Sequence, residues 1–352
     1  MTSPAISICL PSLNTFRYLP DRVASILGQT ETDWELIVFD SYSDDGSWEF
    51  FEEVARKDKR VSIAQAPRGL YENWNRCIER ARGRYVYMAT SDDTMALDCL
   101  EKLRAALDEH SDCDLAHCRL LTIDGKGALL DEQSWPGRTS FAQGMPQTVG
   151  QKHVRRAPYD GLLHLTGRMV YLSITQLLIR RSLFSKIGVF DSRWGSMGDR
   201  HWEMRAGLVS NTVHVPDTWA SWRVHPSNAT AALDIRSERC FANVEEMIAD
   251  AISMCEGQIN SDILATLYKS WMSCSRDMRK YYFELLRRQG AAGRLLYQAT
   301  VVLGGGTSTR SEVLRRLWGG AKWPDRAPGE LRKWLDSLGT GPAVSLGPFN
   351  LA

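Results

Sequence analysis

Tyr85-Val86-Tyr87-Met88-Ala89-Thr90-Ser91-Asp92-Asp93 runs from five apolar residues straight into two adjacent carboxylates. A short apolar run of this kind, rich in β-branched and aromatic residues, predicts a buried strand that stops where the carboxylates begin. Working outward, the same grammar recurs. Upstream, Ile6 to Leu10 is a strand expected to stop at Pro11, and Trp34 to Phe39 ends at Asp40. Val61 to Ala64 is stopped by Pro67. Between them, Phe16, Leu19, Val23, Ile26 and Leu27 recur at helical spacing, as do Trp48, Phe51 and Val54. Leu70 to Arg82 suits a helix closed by Gly83, and Leu97, Leu100, Leu103 and Leu107 form the next stripe, before a strand at Asp114 to Cys118. Strands separated by helices of 10–15 residues predict an α/β fold with a mainly parallel, Rossmann-like sheet flanked by helices. In such sheets ligands sit beyond the carboxyl ends of the strands. Here those ends are Pro11 to Asn14, Asp40 to Ser47, Ala66 to Gly69 and Thr90 to Asp93, and they imply one shared polar crevice.

Over 120–170 repeated Gly and Pro interrupt the pattern and predict a long connection over the crevice. Order returns with a strand at Leu172 to Ile179 and a helix at Ser182 to Lys186 ending at Gly188. A loop at Trp194 to Asp199 leads into a helix from about His201, followed by two strands, Thr212 to Val215 and Ser221 to His225. Residues 1–230 are therefore expected to form one domain, with 1–110 binding a nucleotide-bearing ligand and 111–230 the second substrate. Residues 231–352 are expected to be a helical C-terminal extension. From Arg276 to Asp336 it carries 13 Lys and Arg against 6 Asp and Glu, interleaved with aromatics. That composition reads first as a solvated helical face, with peripheral contact with an anionic membrane surface as the alternative.

Composition excludes several classes. A chain of 352 residues with 43% hydrophobic and 24% charged residues is ordinary for a globular protein, not a disordered or fibrous one. The net charge of +1 gives no global field toward nucleic acid. No apolar run reaches the length of a membrane span, and the N-terminus has no export signal, so a cytoplasmic location is expected. The eight cysteines contain no CxxC pair and are read as reduced and buried, including Cys113 and Cys118 around His117. Asn228-Ala229-Thr230 matches a glycosylation sequon and carries little weight without export.

Two adjacent carboxylates at a strand end repel as bare charges, and a divalent cation relieves that repulsion. Hard oxygen ligands suit Mn2+ or Mg2+, which could bridge a diphosphate leaving group. The simpler alternative is that one of them caps the next helix. Asp40 is placed to accept hydrogen bonds from a base or ribose, or merely to close a turn.

At this point the ordered set resembles the family 2 glycosyltransferases, inverting enzymes with the GT-A type of fold. Pro11-Ser12-Leu13-Asn14, Ser25-Ile26-Leu27-Gly28-Gln29-Thr30, the strand Trp34 to Asp40 and Ala81-Arg82-Gly83-Arg84-Tyr85-Val86 carry the likeness. It is dense over 5–103, sparser to about 230 and absent beyond. Three positions depart from the usual pattern. Ser41 replaces an acidic residue in the D-D-G-S-x-D-G-S turn, Thr90 stands at the first position of the acidic metal motif, and Gly198 replaces the first member of an E-D pair. The resemblance implies that Pro11, Asn14, Asp40 and Arg68 contact the nucleotide, with uracil the usual base. It implies that Asp92 holds ribose or a metal-bound water, and that Asp93 and His225 ligate the metal, with Arg223 on phosphate oxygens. Asp199 would be the catalytic base, with Glu203 and Asp191 as rivals. Its place at a helix start predicts a stabilised charge and lowered basicity. The partners implied are a nucleotide-sugar donor, probed first with UDP, and a saccharide or glycolipid acceptor at the inner face of the membrane. The rival readings are an inactive sugar- or nucleotide-binding module and a sugar-phosphate nucleotidyltransferase. The latter needs a basic Gly-rich loop that Pro11 to Asn14 lacks.

Overall fold

The computed structural model describes residues 3–130, 150–165, 170–226, 228 and 238–259. Residues 131–149 and 166–169 of the expected 120–170 connection, and the basic tail beyond 259, lie outside the described residues, so the tail's membrane contact rests on sequence alone. Eight strands form one sheet in the order β3-β2-β1-β4-β7-β5-β8-β6. They are β1 (Ile6–Ser12), β2 (Trp34–Asp40), β3 (Val61–Gln65), β4 (Tyr85–Met88), β5 (Cys113–Ile123), β6 (His153–Arg155), β7 (Leu177–Arg180) and β8 (Asn211–Arg223). All are parallel except β6 and β7. Helices α1 (Leu19–Leu27), α2 (Ser47–Lys57), α3 (Leu70–Arg80), α4 (Cys99–Glu109), α5 (Tyr159–Leu165), α6 (Ser182–Ile187), α7 (Gly198–Val209) and α8 (Glu238–Cys255) complete the described fold.

Alternation along the central strands divides the core. Ile6, Ile8 and Leu10 of β1 pack with Leu36, Val38, Tyr85 and Tyr87 under α1, Phe51 and α4. Cys9, Ile37, Phe39, Val86 and Met88 face the other layer, with Trp74, Cys77, Trp202 and Met204. Side chains buried this completely contribute roughly 1.5–3 kcal/mol each relative to exposure. Val244, Met247, Ile248, Ala251 and Ile252 of α8 join this second cluster, so α8 packs into the same core.

Four sequence readings are corrected. Strand β1 does not stop at Pro11 but runs on to Ser12, paired with Asp40. Cys9 O accepts from Ala89 N on the β4 side and Ser12 O from Ser41 N on the β2 side. By alternation Pro11 faces the β4 side, where the β1–β4 pairing ends at Cys9 with Met88, so its missing N–H costs no ladder bond. Helix α3 ends at Arg80, not at Gly83. Gly83 is needed for close approach, since a Cβ there would lie 2.6 Å from Ser7 N. The weakly patterned 120–170 stretch contains β6 and α5. The two strands read around Pro216 are one, β8, whose register with β5 jumps from Cys118–Val215 to Arg119–Trp219. A bulge absorbs the proline and keeps the strand going. That continuation, together with the extension of β5 to Ile123, carries Arg223 and His225 to the crevice.

The β6–α5 segment is held by buried charge. Arg155 Nε donates to Asp160 Oδ1 (2.6 Å), Nη1 to His153 Nε2 (2.8 Å) and Nη2 to His117 Nε2 (2.6 Å). Arginine only donates, so both imidazole Nε2 atoms are bare and both rings neutral. His117, His214 and His153 lie side by side across β5, β8 and β6. Burial, followed by the Arg155 charge, holds His117 well below the usual imidazole range.

Candidate functional site

The chain winds β1 to β2 to β3 in one direction and then crosses to place β4 on the other side of β1. That reversal opens a crevice between the carboxyl ends of β1 and β4, where ligands of such sheets bind. Pro11, Ser12 and Asn14 line one side and Thr90 to Asp93 the other.

On the β1 side the loops are tied together. Asp40 is fully buried; its Oδ1 accepts from Ser43 N (2.8 Å) and its Oδ2 from Ser43 Oγ (2.6 Å). Asn14, at φ +51°, donates its N–H to Ser43 Oγ (2.9 Å), and its Oδ1 accepts from Asp44 N (3.0 Å). Asp40 therefore closes its own turn, and Asn14 pins that turn to β1. The turn carries Tyr42, at φ +57° and 61% exposed, where the resemblance places glycine. Arg68, after β3, is exposed and has no ion-pair partner among the described residues.

On the β4 side the two carboxylates divide. Asp93 is buried; its Oδ1 accepts from Arg223 N (2.7 Å) and its Oδ2 from Thr90 Oγ1 (2.5 Å). Burial, and then the Asp92 charge, push its pKa up to about 8. Asp92 faces outward. Its Oδ2 pairs with His225 Nε2 at 2.9 Å and accepts from Asn228 Nδ2 at 3.4 Å, while Oδ1 takes no hydrogen bond among the described residues. The His225 ring stacks on Tyr18 with centroids 4.8 Å apart. Arg223 is buried, donates Nε to Asp92 O (2.6 Å), reaches Asp21 Oδ2 (3.3 Å) and lies over the Tyr18 ring. Two of the expected ligand contacts meet internal partners in this geometry. Arg223, expected on phosphate oxygens, donates to the main-chain carbonyls of Asp92 and Asp124. Asp93, expected on the metal, has both oxygens engaged by Arg223 N and Thr90 Oγ1, while Asp92 beside it is partly exposed and paired with His225.

No cluster of three or more His, Cys, Asp or Glu able to hold a metal occurs among the described residues. The donor set at Asp92 fits a cation completed by its substrate. Mg2+ and Mn2+ take hard oxygen ligands, Mg2+ is commonly held by one or two carboxylates plus phosphate oxygens, and imidazole suits manganese.

Asp199 opens α7, and its Oδ1 accepts from Tyr71 OH (3.1 Å) and Arg200 N (2.8 Å). Tyr71 belongs to the first turn of α3, directly after the β3 end, so this bond brings Asp199 to the crevice side of the sheet. The expected lowering of basicity at a helix start is overruled. Desolvation raises the Asp199 pKa against the opposing hydrogen bonds from Arg200 and Tyr71. Glu203, one turn on, has its pKa pushed well above the usual carboxylate value by burial and then by the Asp199 charge. Burial also opposes ionisation of Asp191, but the Arg193 N–H groups hold its pKa low. Sequence reasoning missed Tyr71, which lay unremarked in the helix read from Leu70, along with Tyr18 and Asn228. Asn228 carried only its sequon as a signal.

Residues 7–188 match the sequence profile described as glycosyl transferase family 2. A protein of Bacillus subtilis (strain 168) named as a teichuronic acid biosynthesis glycosyltransferase, TuaG, is 36% identical over 101 residues, 28% of this chain and 40% of the relative. This chain thus spans less than half the length of that relative. A PGL/p-HBAD biosynthesis glycosyltransferase of Mycobacterium bovis (strain BCG / Pasteur 1173P2) is 29% identical over 222 residues, 61% of this chain and 76% of the relative. Among solved structures, S. aureus TarS 1-349 in complex with UDP-GlcNAc superposes with TM-score 0.58 at 17% identity, covering 76% of this chain and 72% of that one. The mannosyltransferase PcManGT of Pyrobaculum calidifontis, in complex with GDP-Man and Mn2+, gives TM-score 0.51 at 12% identity over 97% and 85% of the two chains. These superpositions establish a shared GT-A glycosyltransferase architecture. No helix among the described residues is long and apolar enough to cross a membrane.

Proposed function

The chain belongs to glycosyl transferase family 2, and from that premise we propose that it moves a sugar from a nucleoside diphosphate sugar to an acceptor hydroxyl, with inversion at the anomeric carbon. The observation that carries this reading is the division of labour at the β1–β4 switch point. Asp93 is turned inward to brace β8, and Asp92 is the more exposed of the two and pairs with His225. The donor's base lies against the turn that Asp40 and Asn14 fix, with Pro11 forming the floor. Arg68, exposed and unpaired, meets the diphosphate. Asp92 and His225 would hold Mn2+ or Mg2+, which supplies charge neutralisation for the departing diphosphate.

Asp199 takes the proton of the acceptor hydroxyl. The acceptor oxygen bonds to the anomeric carbon as the bond from that carbon to the diphosphate oxygen breaks. The leaving group departs as a nucleoside diphosphate anion, and the proton remains on Asp199 until solvent removes it. The raised pKa of Asp199 makes it a stronger base than a solvent-exposed aspartate. Uridine is the first base to probe, with guanosine second, because the structural neighbours carry UDP-GlcNAc and GDP-Man. A cell-envelope saccharide or glycolipid is the acceptor class suggested by the names of the sequence relatives.

The test is release of nucleoside diphosphate from UDP-GlcNAc and GDP-mannose with manganese, read with and without simple glycoside acceptors. Acceptor-dependent release abolished by Asp199→Asn is the expected result. Nucleotide binding without release from either donor would favour the inactive binding module instead.

A further inference from the structure

Gly198, where the resemblance places an acidic residue, has a physical reason. A Cβ built there would lie 2.8 Å from Tyr71 Cε2 and 2.9 Å from Asp191 O. The tyrosine ring occupies the space that a side chain would need. Tyr71 is only 4% exposed and is fixed by its neighbours, stacked on Phe190 with centroids 5.9 Å apart and tilted against Trp74 at 5.6 Å. Its hydroxyl donates to Asp199 Oδ1, and no N–H or hydroxyl of another described residue reaches Oδ2.

We propose that Tyr71 is the positioning residue for Asp199, holding Oδ1 so that Oδ2 is aimed at the acceptor hydroxyl, and that Gly198 is the vacancy that admits its ring. This chain thus orients its base with a neutral phenol where the family pattern has a second acid. A phenol suits the task better in a desolvated site, because it adds no like charge beside the base. Burial, and then the Asp199 charge, raise the Tyr71 pKa, so the hydroxyl stays a donor throughout the working range. The inference rests on Asp199 being the acceptor-side base and adds the residue that aims it.

The experiment is a 13C NMR titration of the full chain carrying carboxyl-labelled aspartate, with the Asp199 resonance identified by its loss in Asp199→Asn. Tyr71→Phe keeps the ring and its packing and deletes only the hydroxyl. The hydrogen bond favours the charged carboxylate, so its loss should move the Asp199 midpoint up by about one pH unit. A purely structural role would leave the midpoint where it is, and an unchanged midpoint in folded Tyr71→Phe overturns the proposal. Gly198→Ala should displace the ring and shift the midpoint in the same direction; a folded Gly198→Ala protein with the wild-type midpoint overturns the role given to Gly198. UDP binding with manganese is read on the same samples. Its absence in the wild type counts against the donor reading and leaves the Tyr71 result standing.

Discussion

The first ninety residues and the segment from 150 to 225 use polar groups in opposite ways. In the first, polar side chains sit at strand ends and bond to neighbouring loops, as Asn14 does to Ser43 and Asp44. In the second, charged and titratable groups lie in the interior. Arg155, Asp160, His153, His164 and His214 are all within 2% of complete burial, as is His117 of β5, to which Arg155 donates. The contrast teaches that groups at the crevice, Asp199 and His225 of the later segment included, can serve a ligand, whereas the Arg155 network uses groups of the same chemistry to fix the fold's own geometry. A cluster of buried histidines is not by itself a site.

The largest expected effect probes the interior network. Arg155→Met leaves Asp160 charged and buried and strips two imidazoles of their donor. It should cost about 3–5 kcal/mol of unfolding free energy, measured by urea denaturation. Lys57→Ala, which breaks the exposed pair with Glu53, should leave the urea midpoint in place. Equal effects of the two variants would erase the contrast between the halves.

A second test sharpens it through pH. His117 has a depressed folded pKa, so below the unfolded value the unfolded chain binds a proton that the native state refuses. Its contribution is fully present above about pH 6.5 and fades below it, by at most about 1.4 kcal/mol per pH unit. The stability difference between wild type and His117→Gln should therefore shrink steadily from pH 7 to pH 5.5. This difference cancels the opposite drift from Asp93 and Glu203, whose raised pKa values favour the native state as pH falls. A difference independent of pH would mean that His117 keeps its unfolded pKa in the fold, and a difference that grows as pH falls would mean that the fold raises it.

The smallest effect belongs to the strand-end half. Tyr42→Gly relieves a left-handed backbone but adds freedom to the unfolded chain, so the net gain should be under about 1 kcal/mol. Nucleotide affinity measured on the same variant shows whether the exposed ring touches the ligand.

How much could be read in advance follows from the same contrast. The strand-then-carboxylate grammar of 34–40 and 85–93 is local, so the parallel sheet, its crevice and Asp40, Asp92 and Asp93 were legible as a set. What each carboxylate does was not, because Asp92 and Asp93 are separated by partners more than a hundred residues away, His225 and the Arg223 N–H. Tyr71 and Asp199 are 128 positions apart, and Arg155 and His117 are 38 apart. No local pattern encodes such pairs. Arg22 shows a further limit. It reads as a solvated helix residue yet is fully buried near the Tyr87 ring, and its charge acts on Asp93.

The central claim is that the outward carboxylate, Asp92, and not its neighbour, serves the donor. Calorimetric titration with UDP, and with GDP in parallel, with and without manganese, tests it on the wild type, Asp92→Ala and Asp93→Ala. The account predicts manganese-dependent nucleotide binding that weakens by at least about tenfold in Asp92→Ala, whereas Asp93→Ala loses chiefly thermal stability. Manganese-dependent binding that survives in Asp92→Ala and vanishes in a folded Asp93→Ala would contradict it.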